Sequence, residues 1–203
     1  MYEERSYRGW VEPAGLVASR VCQAESDLLI HAPEPLAERA GALLAEVRAD
    51  LEAYIRRRPD FAAARAPLAA GAGAPLIARR MAAAAADWGV GPMAAVAGAL
   101  AEAVGERLGA ADGALLVENG GDCYLRHAAP LTARLWAGAG SPFADRVRFR
   151  LPAAPGGQGL CTSSGTVGHS YSAGRADAVC VLAASAPAAD AAATALANAV
   201  AGP

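Results

Sequence analysis

Four short segments of the chain hold residues able to do chemistry. The first is Glu118-Asn119-Gly120-Gly121-Asp122, where two carboxylates and an amide crowd a double glycine. Consecutive glycines permit positive φ and let another backbone or a ligand come close. The polarity exceeds what a turn requires, although many Gly-Asp turns are only turns. The second is the loop Thr162-Ser163-Ser164-Gly165-Thr166-Val167-Gly168-His169. Hydroxyls and pliable backbone N–H groups can converge on one phosphate or carboxylate, with a Ser-rich surface loop as the alternative. His169, one of three histidines, could polarise a phosphate or shuttle a proton. The third is Asp190 with Thr194, one helical turn apart among alanines and leucine. That spacing sets a carboxylate and a hydroxyl on one face, and both are hard oxygen donors suited to Mg²⁺. The alternative is an Asp favoured by its own helix dipole and a Thr bonding back to its own helix. The fourth is Gly89-Val90-Gly91-Pro92-Met93. Free N–H groups at a helix start there could hold an anion, and a glycine stop followed by a proline start explains it equally well.

The elements that position these residues follow from hydrophobic period. Strand-like alternation marks about 5–11, 15–22 and 26–31, with turns at Glu12-Pro13 and Ala24-Glu25-Ser26. An amphipathic helix runs from about Pro35 to Arg57 and carries Leu36, Leu43, Leu44, Val47, Leu51, Tyr54 and Ile55. Pro59 ends it, and an Ala/Pro/Gly-rich link reaches Pro75. Helices over about 75–88 and 92–108 follow, then a hairpin over 114–126 whose apolar arms flank the Gly-Gly turn. Strands are expected near 131–137 and 146–151, a loop over 152–159, a short strand from 160, and a strand over 177–183. Ser185 is the candidate N-cap of a last helix, about 186–200, with Pro187 in its first turn. Adjacent strands with helices grouped between them indicate an α+β fold, mainly antiparallel sheet packed against helices. A single domain over 1–203 is expected, divisible into a half over 1–72 and a motif-bearing half over 73–203.

Composition bounds the chemistry. The 203 residues can bury roughly 70% of the unfolded surface. All 18 basic residues are arginine, which excludes Schiff-base chemistry, a lysine general base and a phosphate-loop lysine. Net charge is −2 with arginines scattered along the chain, so neither nucleic acid nor a membrane is an expected partner. Arg56-Arg57-Arg58 falls at an expected helix C-terminus, where cations interact favourably with the dipole. Cys22, Cys123, Cys161 and Cys180 are widely spaced in apolar, strand-like contexts and read as buried reduced thiols. The charged start Met1-Tyr-Glu-Glu-Arg lacks a secretory core. Residues 81–101 read as two buried helices and not as a span. A cytoplasmic protein is expected.

Three of these segments, in order, resemble the ApbE family, the FAD:protein FMN transferases first linked to thiamine biosynthesis. Gly91-Pro92-Met93-Ala94-Ala95-Val96-Ala97-Gly98 resembles its Gly-Gly-Ile-Ala-Lys-Gly helix. Leu116-Val117-Glu118-Asn119-Gly120-Gly121-Asp122 resembles its Leu-Val-Asn-Ala-Gly-Gly-Asp strand and turn. Ala189-Asp190-Ala-Ala-Ala-Thr194-Ala195-Leu196 resembles its Ala-Asp-x-x-x-Thr-Ala helix, the most specific of the three. Thr162-Ser163 and His169 fall where the family has a Thr-Ser pair and a histidine. The likeness covers about 89–200 and implies an ApbE-like, T-fold-related architecture. By that resemblance Asp190 and Thr194 would bind Mg²⁺, and Asn119, Gly120, Gly121 and Asp122 would line a flavin site. Thr162, Ser163, Ser164 and Gly165, with Gly91 and Met93, would meet the FAD phosphates, and His169 would be catalytic. The implied reaction is FMN transfer to an acceptor protein or hydrolysis of FAD to FMN and AMP. A non-catalytic module binding a flavin, nucleotide or other anionic metabolite is the alternative, and a homodimer is an open assembly. Ala97 stands at the family's lysine position. His169 is followed by Ser-Tyr-Ser-Ala-Gly-Arg, where the family has His-x-x-Asp-Pro-Arg-Thr-Gly.

Overall fold

The structure, a computed structural model, describes residues 6–10, 13–109, 113–144, 146–166 and 174–200. The expected hairpin from 114 to 126 forms as β3 (Leu115–Asn119) and β4 (Asp122–His127). Gly120 and Gly121 have φ of 71° and 105°. Two adjacent positive-φ residues make the tight two-residue turn whose twist matches the strands it joins. Asn119 and Asp122 are cross-strand partners at its base.

Around this hairpin lie β1 (Val17–Gln23), β2 (Ser26–Ala32), β7 (Ala154–Ser163) and β8 (Val179–Ala183). They form a six-stranded antiparallel sheet in the order β1-β2-β3-β4-β7-β8. β5 (Leu131–Arg134) and β6 (Arg148–Leu151) pair as a separate two-stranded ribbon. Among the described residues five α-helices complete the α+β fold: α1 (Ala37–Arg57), α2 (Pro59–Ala63), α3 (Leu76–Trp88), α4 (Val96–Leu108) and α5 (Ala186–Ala199). No helix among the described residues is long and apolar enough to cross a membrane.

Period 2 assigns the two faces of the sheet. Leu28, Ile30, Leu115, Val117 and Tyr124 point to the helices and are almost fully buried. α1, α4 and α5 pack on that face, and α3 lies against α4 and α5. The alanine richness has its explanation in α5, where Ala186, Ala189, Ala191, Ala192, Ala193 and Ala197 are all buried. A helix covered nearly all round must carry small side chains when its neighbours come this close. Gly98 and Gly159 set the distance from either side. A Cβ on Gly98 would lie 2.5 Å from the Ala186 carbonyl oxygen, and one on Gly159 2.4 Å from the Ala186 Cα.

Four expectations are corrected. Ser6–Trp10, expected within a strand, is a 3-10 turn. Tyr7 and Arg8 turn inward from it to acids of the sheet, and those contacts decide its conformation. The expected loop 152–159 is mostly strand, because β7 begins at Ala154. Its glycines read as breakers, yet Gly157 (φ 93°) passes where a Cβ would meet the Tyr124 hydroxyl at 2.5 Å. The expected helix 92–108 is a 3-10 turn, Pro92–Ala95, followed by α4. Of the four thiols only Cys161 is fully buried; Cys123 and Cys180 are half-buried, and Cys22 is exposed on edge strand β1.

Candidate functional site

Period 2 separates the acids around the Gly-Gly turn. Asn119 and Asp122 point with Val117 and Tyr124 toward the helices and are buried. Glu118 points to the opposite face. There its Oε1 accepts hydrogen bonds from Gly121 N (2.7 Å) and the Tyr7 hydroxyl (2.9 Å), and its Oε2 from Arg8 Nε (2.7 Å). Arg8 also donates to Asp27 Oδ2 at 2.9 Å, and Arg20 Nε donates to Asp27 Oδ1 at 3.0 Å. Asp27 is held well below the usual carboxylate range because the hydrogen bonds and charge of these guanidinium groups outweigh its burial. Glu118 and Asp27 thus fasten the 3-10 turn to the sheet.

The helix-side residues converge on the start of α4. Asp190 reaches across from α5, and its Oδ2 accepts from Gly98 N at 2.9 Å. Gly98 is the third residue of α4, so this carboxylate satisfies an N–H that the helix itself cannot. Thr194 donates to the Ala94 carbonyl at 3.5 Å. Neither side chain serves its own helix. Asn119 Nδ2 donates to the Ala97 carbonyl at 3.2 Å, and Thr162 N donates to Asp122 Oδ1 at 3.2 Å. Four segments distant in sequence therefore meet around residues 94–98.

The electrostatics of the meeting point are unusual. Burial pushes the Asp190 carboxyl up to about 7, against the opposing hydrogen bonds from Gly98 and Ala97. Burial pushes Asp122 well above its ordinary value, and the Asp190 charge pushes it further. Among the described residues neither carboxylate has a basic partner within salt-bridge distance. Two buried acids, Asp122 raised further by the charge of Asp190, beside a threonine hydroxyl, are a donor set of hard oxygens. Such a set fits Mg²⁺, which binds through one or two carboxylates and completes its shell with water and phosphate. Among the described residues no three acidic, histidine or cysteine side chains are placed to hold a metal ion together, so the set is partial by itself.

A family model described as "AbpE bacteria" matches residues 8–203. The chain belongs to this family. Its relatives include UPF0280 proteins of methanogens. One from Methanopyrus kandleri is 40% identical over 188 residues, covering 92% of this chain and 76% of the relative. One from Methanosphaerula palustris is 48% identical over 167 residues, covering 80% and 68%. One from Methanothermobacter thermautotrophicus is 44% identical over 166 residues, covering 81% and 63%.

In this AbpE-family chain the remaining expected site residues lie as follows. Thr162 and Ser163 end β7, with Thr162 bound to Asp122 through its N–H. Ser164 Oγ accepts from Thr166 N at 3.1 Å, and Gly165 N donates to the Ala176 carbonyl at 2.9 Å. A Cβ on Gly165 would lie 2.2 Å from the Gly174 carbonyl oxygen, so that glycine is required where the two ends of the loop meet. His169 lies outside the described residues. Gly91 faces α2: a Cβ there would lie 1.9 Å from the Ala64 carbonyl oxygen. Met93 is half-buried in the 3-10 turn and packs on the core. The helix N–H groups expected at Gly89–Met93 are found further on, at Gly98, and Asp190 already engages them.

Glu102 went unnoticed in the sequence. It is buried on α4, its Oε2 accepts from Ala186 N at 2.7 Å, and Arg80 lies 3.4 Å from its other oxygen. Burial raises its carboxyl, with the Ala186 hydrogen bond opposing. α4 and α5 thereby satisfy each other's first turns, Asp190 at one end and Glu102 at the other. An acid set among Leu100, Ala101 and Val104 is the signal that would have found it. Burial, then the charges of Asp122 and Asp190, push the Cys161 thiol well above the ordinary range, away from the thiolate form.

Proposed function

We propose that this protein binds a flavin nucleotide with Mg²⁺ at the start of α4 and acts on its pyrophosphate. The observation that carries this reading is the meeting of Asp122, Asp190 and Thr194 around Ala94–Gly98, with both carboxylates raised by burial and lacking a basic partner among the described residues. The Asp-x-x-x-Thr and Gly-Gly-Asp segments that resemble the ApbE family are thus neighbours in space as well as in pattern. Mg²⁺ would supply charge neutralisation of the pyrophosphate. Asp190 and Thr194 would hold the cation from α5 and Asp122 from the hairpin. Asn119 fixes the Ala97 carbonyl, and with it the backbone against which the ligand would lie. Two outcomes fit the resemblance: release of AMP from FAD, or transfer of FMN to an acceptor protein.

A second reading is a binding module without turnover. Ala97 at the family's lysine position favours it, as does the engagement of Asp190 by a helix N–H. One experiment separates the two. Purified protein is incubated with FAD and Mg²⁺, and AMP is quantified beside a thermal-shift series with FAD, FMN, ADP and ATP. AMP release abolished in Asp190→Ala supports the enzyme; Mg²⁺-dependent stabilisation without AMP supports the module. No shift with any of the four nucleotides contradicts both.

A further inference from the structure

The β5–β6 ribbon has two unlike faces. Cross-strand pairs Leu131–Leu151 and Ala133–Phe149 share one face and are shielded, and Thr132–Arg150 and Arg134–Arg148 share the other and are exposed. Leu135 N donates to the Val147 carbonyl at 3.0 Å, which prolongs the pairing by one step. Arg146, also exposed, lies just before β6 in a turn, where its N–H donates to the Phe143 carbonyl at 3.1 Å. Residues 131–151 carry four arginines and a single acid, Asp145, whereas the rest of the sequence has 14 arginines against 19 acids. The ribbon therefore gathers Arg134, Arg148 and Arg150 onto one small cationic strip.

Among the described residues no carboxylate pairs with Arg146, Arg148 or Arg150. Arg148 also sits directly across from Arg134. The strip is separate from the carboxylate site. β4 holds Asp122 at one end and His127 at the other, about 17 Å along the strand, and the ribbon follows His127.

We infer that this strip docks an extended acidic segment of a partner protein. Along β6, alternate residues stand about 7 Å apart, so Arg148 and Arg150 are about 7 Å apart on the exposed face. An extended peptide presents its own alternate side chains at the same spacing, so acids at every second position come into register with the row. The guanidinium fork donates two parallel hydrogen bonds to a carboxylate, with both charge and geometry matched. The shortness of the strip selects a short anion. A long polyanion would continue past it across a remainder that is net negative.

The test uses the full chain and a fluorescein-labelled peptide, Thr-Glu-Thr-Glu-Thr-Glu-Thr, in an anisotropy titration at about 20 mM salt. The expected result is saturable binding that weakens at least tenfold in Arg148→Glu/Arg150→Glu. The urea midpoints of that variant and of Arg148→Thr/Arg150→Thr confirm that both fold. The block isomer Thr-Thr-Glu-Glu-Glu-Thr-Thr is expected to bind several-fold more weakly. Equal affinity for the two peptides, or peptide binding unchanged in the variants, overturns the inference. So does preference for a ten-nucleotide single strand or for phosphatidylserine vesicles over the alternating peptide. Asp190→Asn leaves the peptide affinity unchanged, which keeps this result distinct from that of the flavin site.

Discussion

Replacing Asp190 with asparagine removes a buried charge while keeping its shape. The amide oxygen can still accept from Gly98 N, so the link from α5 to the first turn of α4 survives. What disappears is the penalty for ionising inside the protein. The Asp190 carboxyl stands at about 7 in the folded chain against an ordinary 3.8. A difference of about three pKa units corresponds to about 4 kcal/mol at most, an upper bound because Asp122 shares the same charge. The sign follows from proton counting. Below the ordinary value both states hold the proton. Between it and about 7 only the folded state does, so stability falls as pH rises. Above about 7 both are ionised and the full penalty is present. Asp122 works in the same direction, since losing a charged neighbour eases its own ionisation.

The assay is urea unfolding in EDTA at pH 5 and pH 8 for the wild type and Asp190→Asn. The wild type should lose stability between the two values, and the variant should lose about 2–3 kcal/mol less. With an m-value of about 2 kcal/mol/M, that difference is about 1–1.5 M in midpoint. At pH 8 the variant should be the more stable of the two. Parallel pH profiles for the two proteins would refute the claim that burial holds Asp190 up. A variant destabilised equally at both pH values would do so too.

Three further outcomes follow from the packing and the ion pairs. Gly98→Ala and Gly159→Ala should each cost about 1–3 kcal/mol in urea unfolding, because each Cβ would strike the start of α5. Gly140→Ala, with nothing within 4 Å, should stay within about 0.5 kcal/mol. Arg8→Ala should lower stability at pH 7 by about 1–3 kcal/mol. Its acid limb should also flatten: Asp27 is depressed in the folded state, so its contribution is present above about pH 4 and lost as pH falls below it. Glu102→Ala should cost about 1–3 kcal/mol by leaving Ala186 N–H buried and unpaired, whereas Glu102→Gln retains an acceptor and should cost less.

The elements that sequence made legible are those whose signals are local. The Gly-Gly turn between two apolar runs forces a two-residue hairpin, and Ser185 accepts from Ala188 N at 3.4 Å as an N-cap must. The α1 period likewise survives as buried Ala40, Leu44, Val47, Leu51 and Tyr54. What was hidden depended on partners remote in the chain. Gly157 and Gly159 look like loop residues until Tyr124 and Ala186 are seen pressing on them. Tyr7 and Arg8 fit a strand pattern until Glu118 and Asp27 draw them into a turn. At the candidate site the residue types could be read, and their alternatives could not be settled. Only the fold shows that Asp190 serves α4 and not its own helix, that Glu118 and Asp122 part to opposite faces, and that the arginines of β6 make a row.

The central claim is that the carboxylates at the start of α4 form a cation-dependent nucleotide site. The most direct measurement is the thermal shift of the wild type and Asp190→Asn at pH 8 with FAD, with and without Mg²⁺. The expected result is stabilisation of the wild type that requires both FAD and Mg²⁺ and that vanishes in the variant, even though the variant is the more stable protein in EDTA. Equal stabilisation of both proteins, or a wild-type shift indifferent to Mg²⁺, would contradict it.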